Sequence, residues 1–193
     1  MQLGDALDFY SWSRFPRKRD IHTPDQEIKL GRKMMEEFWH DIKKVCPKAK
    51  CFQLFGNHDV RPHKQLANAG SQFSFLYDSI DSLLNFDGVE TIGRNQDELI
   101  IDGICFEHGF RTGPGSHCIA NKMSTVVGHS HQGGVVFIRS GKDVYYELNC
   151  GHIADESSVP LSYGEQRRFS KWVSGFGLID FAGPRFVTLP NRD

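Results

Sequence analysis

The sequence predicts an α/β domain, and three features carry that prediction. Short apolar runs of strand length stop at glycine and hand over to polar residues, as buried strands do when they deliver loops. An amphipathic stretch with a helix-start signature lies ahead of the clearest such run. The last third alternates strand-like segments with glycine-containing turns, so it reads as mostly antiparallel sheet. At 193 residues the chain is long enough to bury a sizeable core and is read as one domain, 1–193.

Taken in order, Leu3 and then Gly4-Asp5-Ala6-Leu7-Asp8-Phe9 read as the last residues of a strand followed by an acidic loop. Residues 10–22 are aromatic and basic without periodicity, and read as loop. Thr23-Pro24-Asp25-Gln26 combines an N-cap threonine, proline at the first helical position and glutamine at the third, which is a capping box. Ile28, Met35, Phe38, Ile42 and Val45 then share one face that should pack on a sheet, and Pro47 ends the helix. Phe38 and Trp39 are expected in the core. The run Lys50-Cys51-Phe52-Gln53-Leu54-Phe55 is a strand that delivers Gly56-Asn57-His58-Asp59.

Residues 64–86 carry Leu66, Phe73, Leu76, Ile80, Leu83 and Leu84 at helical spacing, interrupted at Gly70, so one or two helices are expected. Residues 98–107 form a hairpin about Asp102-Gly103, whose second strand ends at His108-Gly109. A glycine-rich loop leads into a weak helix over 111–121, and a short strand over 124–127 ends at Gly128-His129-Ser130-His131. Four further strands are read at 134–139, 143–149, 175–181 and 184–189.

Composition bounds the function classes. The chain is 39% hydrophobic and 24% charged and holds no apolar run of membrane length, so no membrane span is expected. A formal charge of -1 gives no bulk attraction to polyanions, and only Arg14, Arg17, Lys18 and Arg19 offer a local basic patch for nucleic acid. Five cysteines, without knuckle spacing or a leader pattern ahead of them, are expected as reduced core thiols of a cytoplasmic protein, Cys118 included. Among nine histidines, His108, His129 and His131 sit beside glycine or just after strand-like runs, where ligands are placed. His22, His40, His63, His117 and His152 are expected as surface or core residues.

The strand-end loops, in order, are Gly4-Asp5-Ala6-Leu7-Asp8, Gly56-Asn57-His58-Asp59, His108-Gly109 and Gly128-His129-Ser130-His131. This set resembles the calcineurin-like metallophosphoesterase superfamily, whose motifs are D-x-H, G-D-x-x-D, G-N-H-[DE], a lone H, and G-H-x-H. Four of the five are present, in family order. The segments around Gly151-His152 and Trp172-Val173-Ser174-Gly175 also look similar to phage and bacterial members. The resemblance implies a two-sheet β-sandwich flanked by helices, α/β/β/α, lacking the first β-α unit. It implies two divalent metals, with Mn²⁺ favoured over Fe, Zn²⁺ or Ni²⁺. Asp5 would bridge them; Asn57, His108 and His129 would hold one, and His131 with Asp5 the other. His58 would be the general acid, with Asp59 holding its ring. Asp8 would support the loop, and Arg61 would contact a phosphate oxygen.

The implied reaction is hydrolysis of a phosphomonoester or phosphodiester through a metal-bound hydroxide. The D-x-H motif is absent, which leaves three readings: a start short of it, replacement ligands such as His22, His63 or His152, or an inactive descendant serving as a scaffold. A nuclease is a further alternative, resting on the basic patch. A missing first strand would also expose a sheet edge for a second copy to cover.

Overall fold

The capping box at Thr23 is formed. In a computed structural model describing residues 1–13, 22–93, 98–155 and 171–190, the Thr23 side chain accepts from the Gln26 amide and the Gln26 side chain accepts from the Thr23 amide. Helix α1 (Pro24–Val45) follows, with Asp25 and Glu27 in its first turn and Lys43 and Lys44 in its last, both signs favourable to the helix dipole. The basic patch Arg14, Arg17, Lys18 and Arg19 lies outside the described residues.

The chain packs as two compact units, Met1–Asp97 and Glu98–Asp193. In the first, strands β1 (Cys51–Leu54) and β2 (Val89–Ile92) pair in parallel. The N-terminal segment adds one parallel bridge, Gln2 to Gln53, in which the Gln2 amide donates to the Phe52 carbonyl and accepts at its own carbonyl from Leu54. Trp39 of α1 packs with Cys51 and Phe86, flanked by Met35, Phe38 and Val89, so the helix lies on this sheet. Its indole N–H donates to the buried Gln53 side chain (3.1 Å), whose amide donates to the Leu84 carbonyl.

The expected apolar face is shorter than predicted, because Ile42 and Val45 are exposed. A helix of 22 residues is about 33 Å long, whereas a four-residue strand spans about 13 Å, so the last turns overhang the sheet. The stretch read as one or two helices is α2 (Arg61–Ala69) and α3 (Tyr77–Asp81), with 3-10 turns at Ser71–Leu76 and Ser82–Leu84. β2 escaped the sequence reading, being only Val-Glu-Thr-Ile between turns.

The second unit holds a five-stranded sheet ordered β3-β4-β5-β7-β6, from β3 (Leu99–Ile101), β4 (Ile104–Glu107), β5 (Thr125–Val127), β6 (Gly133–Ser140) and β7 (Asp143–Cys150). The β3–β4 hairpin turns at Asp102 (φ 50°) and Gly103 (φ 75°), a pair of left-handed residues that Asp-Gly supplies at low cost. β7 pairs antiparallel with β6 yet parallel with β5, so the C-terminal strands are less purely antiparallel than expected. Each residue of β5 is buried, as suits a central strand between parallel neighbours. Helix α4 (Ser116–Asn121) crosses from β4 toward β5.

A second hairpin, β8 (Gly175–Asp180) with β9 (Gly183–Thr188), packs against β6 and β7. The Phe186 ring makes the contact, lying where a Cβ on Gly133, Gly151 or Gly175 would overlap it. The mixed α/β class is therefore as expected. Among the described residues no helix is long and apolar enough to cross a membrane.

Candidate active site

Three segments of the first unit point the same way out of a parallel pairing, so their C-terminal loops meet at one edge. Leu7 and Phe9 anchor the first loop by packing with Phe55, Val60 and Leu84. Asp5 and Asp8 alternate with those anchors. Asp5 is held in the left-handed region (φ 56°), and a Cβ on Gly56 would overlap the Asp5 carboxylate and amide, so glycine is required for the two loops to meet.

Asp59 is wholly buried, and its carboxylate accepts from four backbone amides: Asp5 (2.6 Å), Ala6 (3.3 Å), Leu7 (3.0 Å) and Gly56 (2.8 Å). It is a clamp that folds the N-terminal loop around the Gly56 turn. The His58 ring is instead held by Asp8, with Nδ1 at 2.6 Å from Asp8 Oδ1. The expected role of Asp59 toward His58 thus passes to Asp8. The physical reason is that the buried Asp59 carboxylate is committed to the four backbone amides, and Asp8 is the carboxylate that meets Nδ1.

Asp5 Oδ1 accepts from the His58 amide (2.7 Å), and Asp5 Oδ2 lies 3.9 Å from His58 Nε2. Arg61, at the start of α2, donates from Nη1 to the Asp8 carbonyl (2.7 Å) and lies 3.5 Å from its carboxylate. Arg61, expected to meet phosphate, thus also braces Asp8. Asn57 sits partly buried in the turn between Gly56 and His58.

In the second unit β4, β5 and β7 run parallel and adjacent, and each is followed by histidine: His108 after β4, His129 and His131 after β5, His152 after β7. His108 is buried, and its Nε2 lies 3.3 Å from His129 Nδ1. Two nitrogens sharing one metal at about 2.1 Å stand roughly 3.0 to 3.4 Å apart, so this pair has the spacing of common ligands. His129 (φ 61°) and His131 (φ 59°) are both left-handed, a conformation that costs of order 1 kcal/mol each and that histidine adopts more readily than most non-glycine residues. Their loop is fixed by Ser130, whose hydroxyl accepts from Asn149 (2.6 Å) and from the Gln132 amide.

Behind His108 lies a buried polar cluster that the sequence reading left as a core histidine. His117 Nδ1 is 2.6 Å from Glu107, and Nε2 lies 3.0 Å from the Arg111 amide nitrogen and 3.4 Å from the Arg111 carbonyl. Asn121 donates to Glu107, and Glu147 accepts from the Gly115, His117 and Cys118 amides that open α4. Burial pulls the His117 pKa down, but the hydrogen bond and charge of Glu107, with the charge of Glu147, leave it raised. Burial pushes Glu107 up, and the His117 and Asn121 contacts more than reverse it, leaving it lowered.

All five cysteines are free. Cys118 is wholly buried, and burial and Glu147 raise its pKa, so it is the inert thiol expected. Burial and Glu107 push Cys105 up to about 12.

The donor set of imidazole, amide oxygen and carboxylate fits a borderline or hard divalent metal. Among the described residues, no group of three or more His, Cys, Asp or Glu side chains is assembled in a form that would hold an ion. The first unit groups Asp5, Asp8, His58, Asp59 and Arg61; the second groups His108 with His129, and His131 with His152. The His58–Asp8 pair was missed, and His152, expected as a core or surface residue or else a replacement ligand, lies beside His131. The only signal for the place of His152 was Gly151 at a strand end. No family model, curated protein or solved structure matches the chain.

Proposed function

We propose that the chain is a metal-dependent phosphoesterase of the calcineurin-like kind, with its sheets forming the two-layer sandwich of that superfamily. The observation that carries the reading is the His58 ring, fixed at Nδ1 by Asp8 with Nε2 on the side of the Asp5 carboxylate. An imidazole held at one nitrogen and presented at the other, next to a strand-end carboxylate, is built for directed proton transfer.

In this reading Asp5 and Asn57 would hold divalent metal in the first unit, and His108, His129 and His131 would hold it in the second. Bound metal supplies charge against the phosphoryl oxygens and acidifies the attacking water. The remaining steps belong to the chain. In the imidazolium form His58 donates Nδ1–H to Asp8, and Nε2–H is the proton given to the leaving oxygen. Arg61 keeps Asp8 from turning away. Asp59 keeps Asp5 and His58 in register by tying both loops to one carboxylate.

The substrate is a phosphomonoester or phosphodiester. Turnover of p-nitrophenyl phosphate or bis-p-nitrophenyl phosphate with Mn²⁺ should be detectable and should fall by about 10²- to 10⁴-fold in His58→Asn. A folded, metal-loaded sample that turns over neither compound overturns the catalytic reading and leaves the scaffold.

A further inference from the structure

We infer that Glu27 is a positioning residue for the proposed general acid: from the start of α1 it grips the turn that follows Asp8, and so aims the Asp8 carboxylate at the His58 ring. The inference rests on the catalytic reading of His58 and Asp8, and adds to that pair a residue from a different element.

The N-terminal loop offers runs of backbone amides, and two carboxylates collect them. Asp59 takes those of Asp5, Ala6 and Leu7. Glu27 takes the Tyr10 amide at Oε1 (2.6 Å) and the Ser11 amide at Oε2 (3.2 Å), and the Ser11 hydroxyl donates to the same Oε2 (2.6 Å). Asp8 stands between the two grips. The chain turns sharply just after it, through left-handed Phe9 (φ 46°) with its side chain buried in the apolar cluster, and then through a 3-10 turn at Tyr10–Trp12. A three-residue 3-10 turn holds itself weakly, and its first amides have no partner inside it. Phe9 offers them no side-chain cap, so Glu27 caps the turn from 17 and 16 positions away.

Asp8 depends on that backbone for its direction. Its Oδ1 meets His58 Nδ1 at 2.6 Å and lies 3.5 Å from Arg61, whereas its Oδ2 is buried and has no hydrogen-bond partner among the described residues. Glu27 is itself well seated, because its amide makes the first bond inside α1, to the Thr23 carbonyl (2.9 Å) behind the capping box. The capping box therefore seats Glu27, Glu27 seats the turn, and the turn presents Asp8 to one chosen nitrogen of His58. Support of this kind keeps an acid in the geometry its proton transfer requires.

Glu27→Gln keeps the shape of the side chain but sets a donor against one of the loop's own donors. With Mn²⁺ and whichever nitrophenyl ester the chain hydrolyses, kcat should fall about tenfold while KM stays within about twofold. In the Asp8→Asn background the same change should cost less than about twofold, because its effect passes through Asp8. Met35→Ala, which loosens the same helix about two turns further on, should lower the urea midpoint and leave kcat unchanged. Equal losses in both backgrounds, or a Met35→Ala chain as slow as Glu27→Gln, overturn the proposal.

A second readout needs no turnover. In ¹⁵N-histidine spectra near pH 8 the neutral His58 ring, identified by its loss in His58→Asn, should carry its proton on Nδ1 in the wild-type chain and show a mixture of tautomers in Glu27→Gln. A ring whose tautomer is the same in both chains overturns the proposal. If Glu27→Gln does not fold, Ser11→Ala removes one of the three donors to Glu27 and should show a smaller share of the second tautomer; a single tautomer there overturns it as well. A wild-type chain without turnover whose tautomer still responds to Glu27→Gln sinks the catalytic reading and upholds Glu27 as the residue that aims the pair.

Discussion

Asp59 is adjacent to His58 in sequence and Asp8 lies 50 positions away, yet it is Asp8 that holds the His58 ring, and the two carboxylates do different work. Asp59 accepts from four amides in full burial, so Asp59→Asn replaces one of its two acceptor oxygens by a donor and leaves at least one amide unpaired. A loss of about 3 kcal/mol is expected, read as a lower urea midpoint. Asp8 is partly exposed and holds one ring nitrogen, so Asp8→Asn should lower kcat by about 10- to 100-fold with the urea midpoint nearly unchanged. The reverse pattern would return the ring-holding role to Asp59.

His117 sets a pH dependence at the same scale. Its folded pKa is raised above 6.5, so its contribution to stability is complete below that value and is lost as pH rises through the folded one. Glu107, lowered from 4.5, contributes above that value and loses its contribution as pH falls through its folded one. The pair is therefore most stabilising between the two limits. The urea midpoint of the wild-type chain should fall as pH rises from 6 to 9, and His117→Gln should be less stable at pH 6 with a flatter decline.

At the scale of elements, the second unit depends on close approach through glycine. The Phe186 ring of β9 fills the space left by three missing Cβ atoms on Gly133, Gly151 and Gly175. That nest seats the β8–β9 hairpin on the sheet and sets the turn that leads to His152. Phe186→Ala should cost about 2 to 3 kcal/mol in chemical denaturation, toward the low end for a buried aromatic because Phe186 is only partly buried. Helix α1 is the contrasting element. Its start is decided by four consecutive residues, and its packing by how far the short sheet beneath it extends.

For the whole molecule, both units follow one rule: parallel strands gather polar groups at their C-terminal ends. In the first unit these are carboxylates and His58, in the second they are histidines. Ligands that bind only the folded state stabilise it by mass action. Mn²⁺ at about 100 times its Kd should therefore raise the unfolding free energy by about 2.7 kcal/mol, reversed by EDTA. A melting temperature indifferent to both Mn²⁺ and EDTA would argue against metal binding by the native chain.

The sequence by itself determined what is local. The capping box at Thr23, the Asp102-Gly103 hairpin, the break at Gly70 and the polar loops after β1, β4 and β5 each lie within a few adjacent residues, and backbone sterics and short-range hydrogen bonds suffice to specify them. Tertiary structure alone decided the pairings across distance. Asp8 reaches His58 over 50 positions, Glu147 caps α4 from about 30 positions away, and β7 enters beside β5 to bring His152 next to His131. Such contacts depend on which strand lies next to which, and that order follows from burying several apolar faces at once, which no local run of residues encodes.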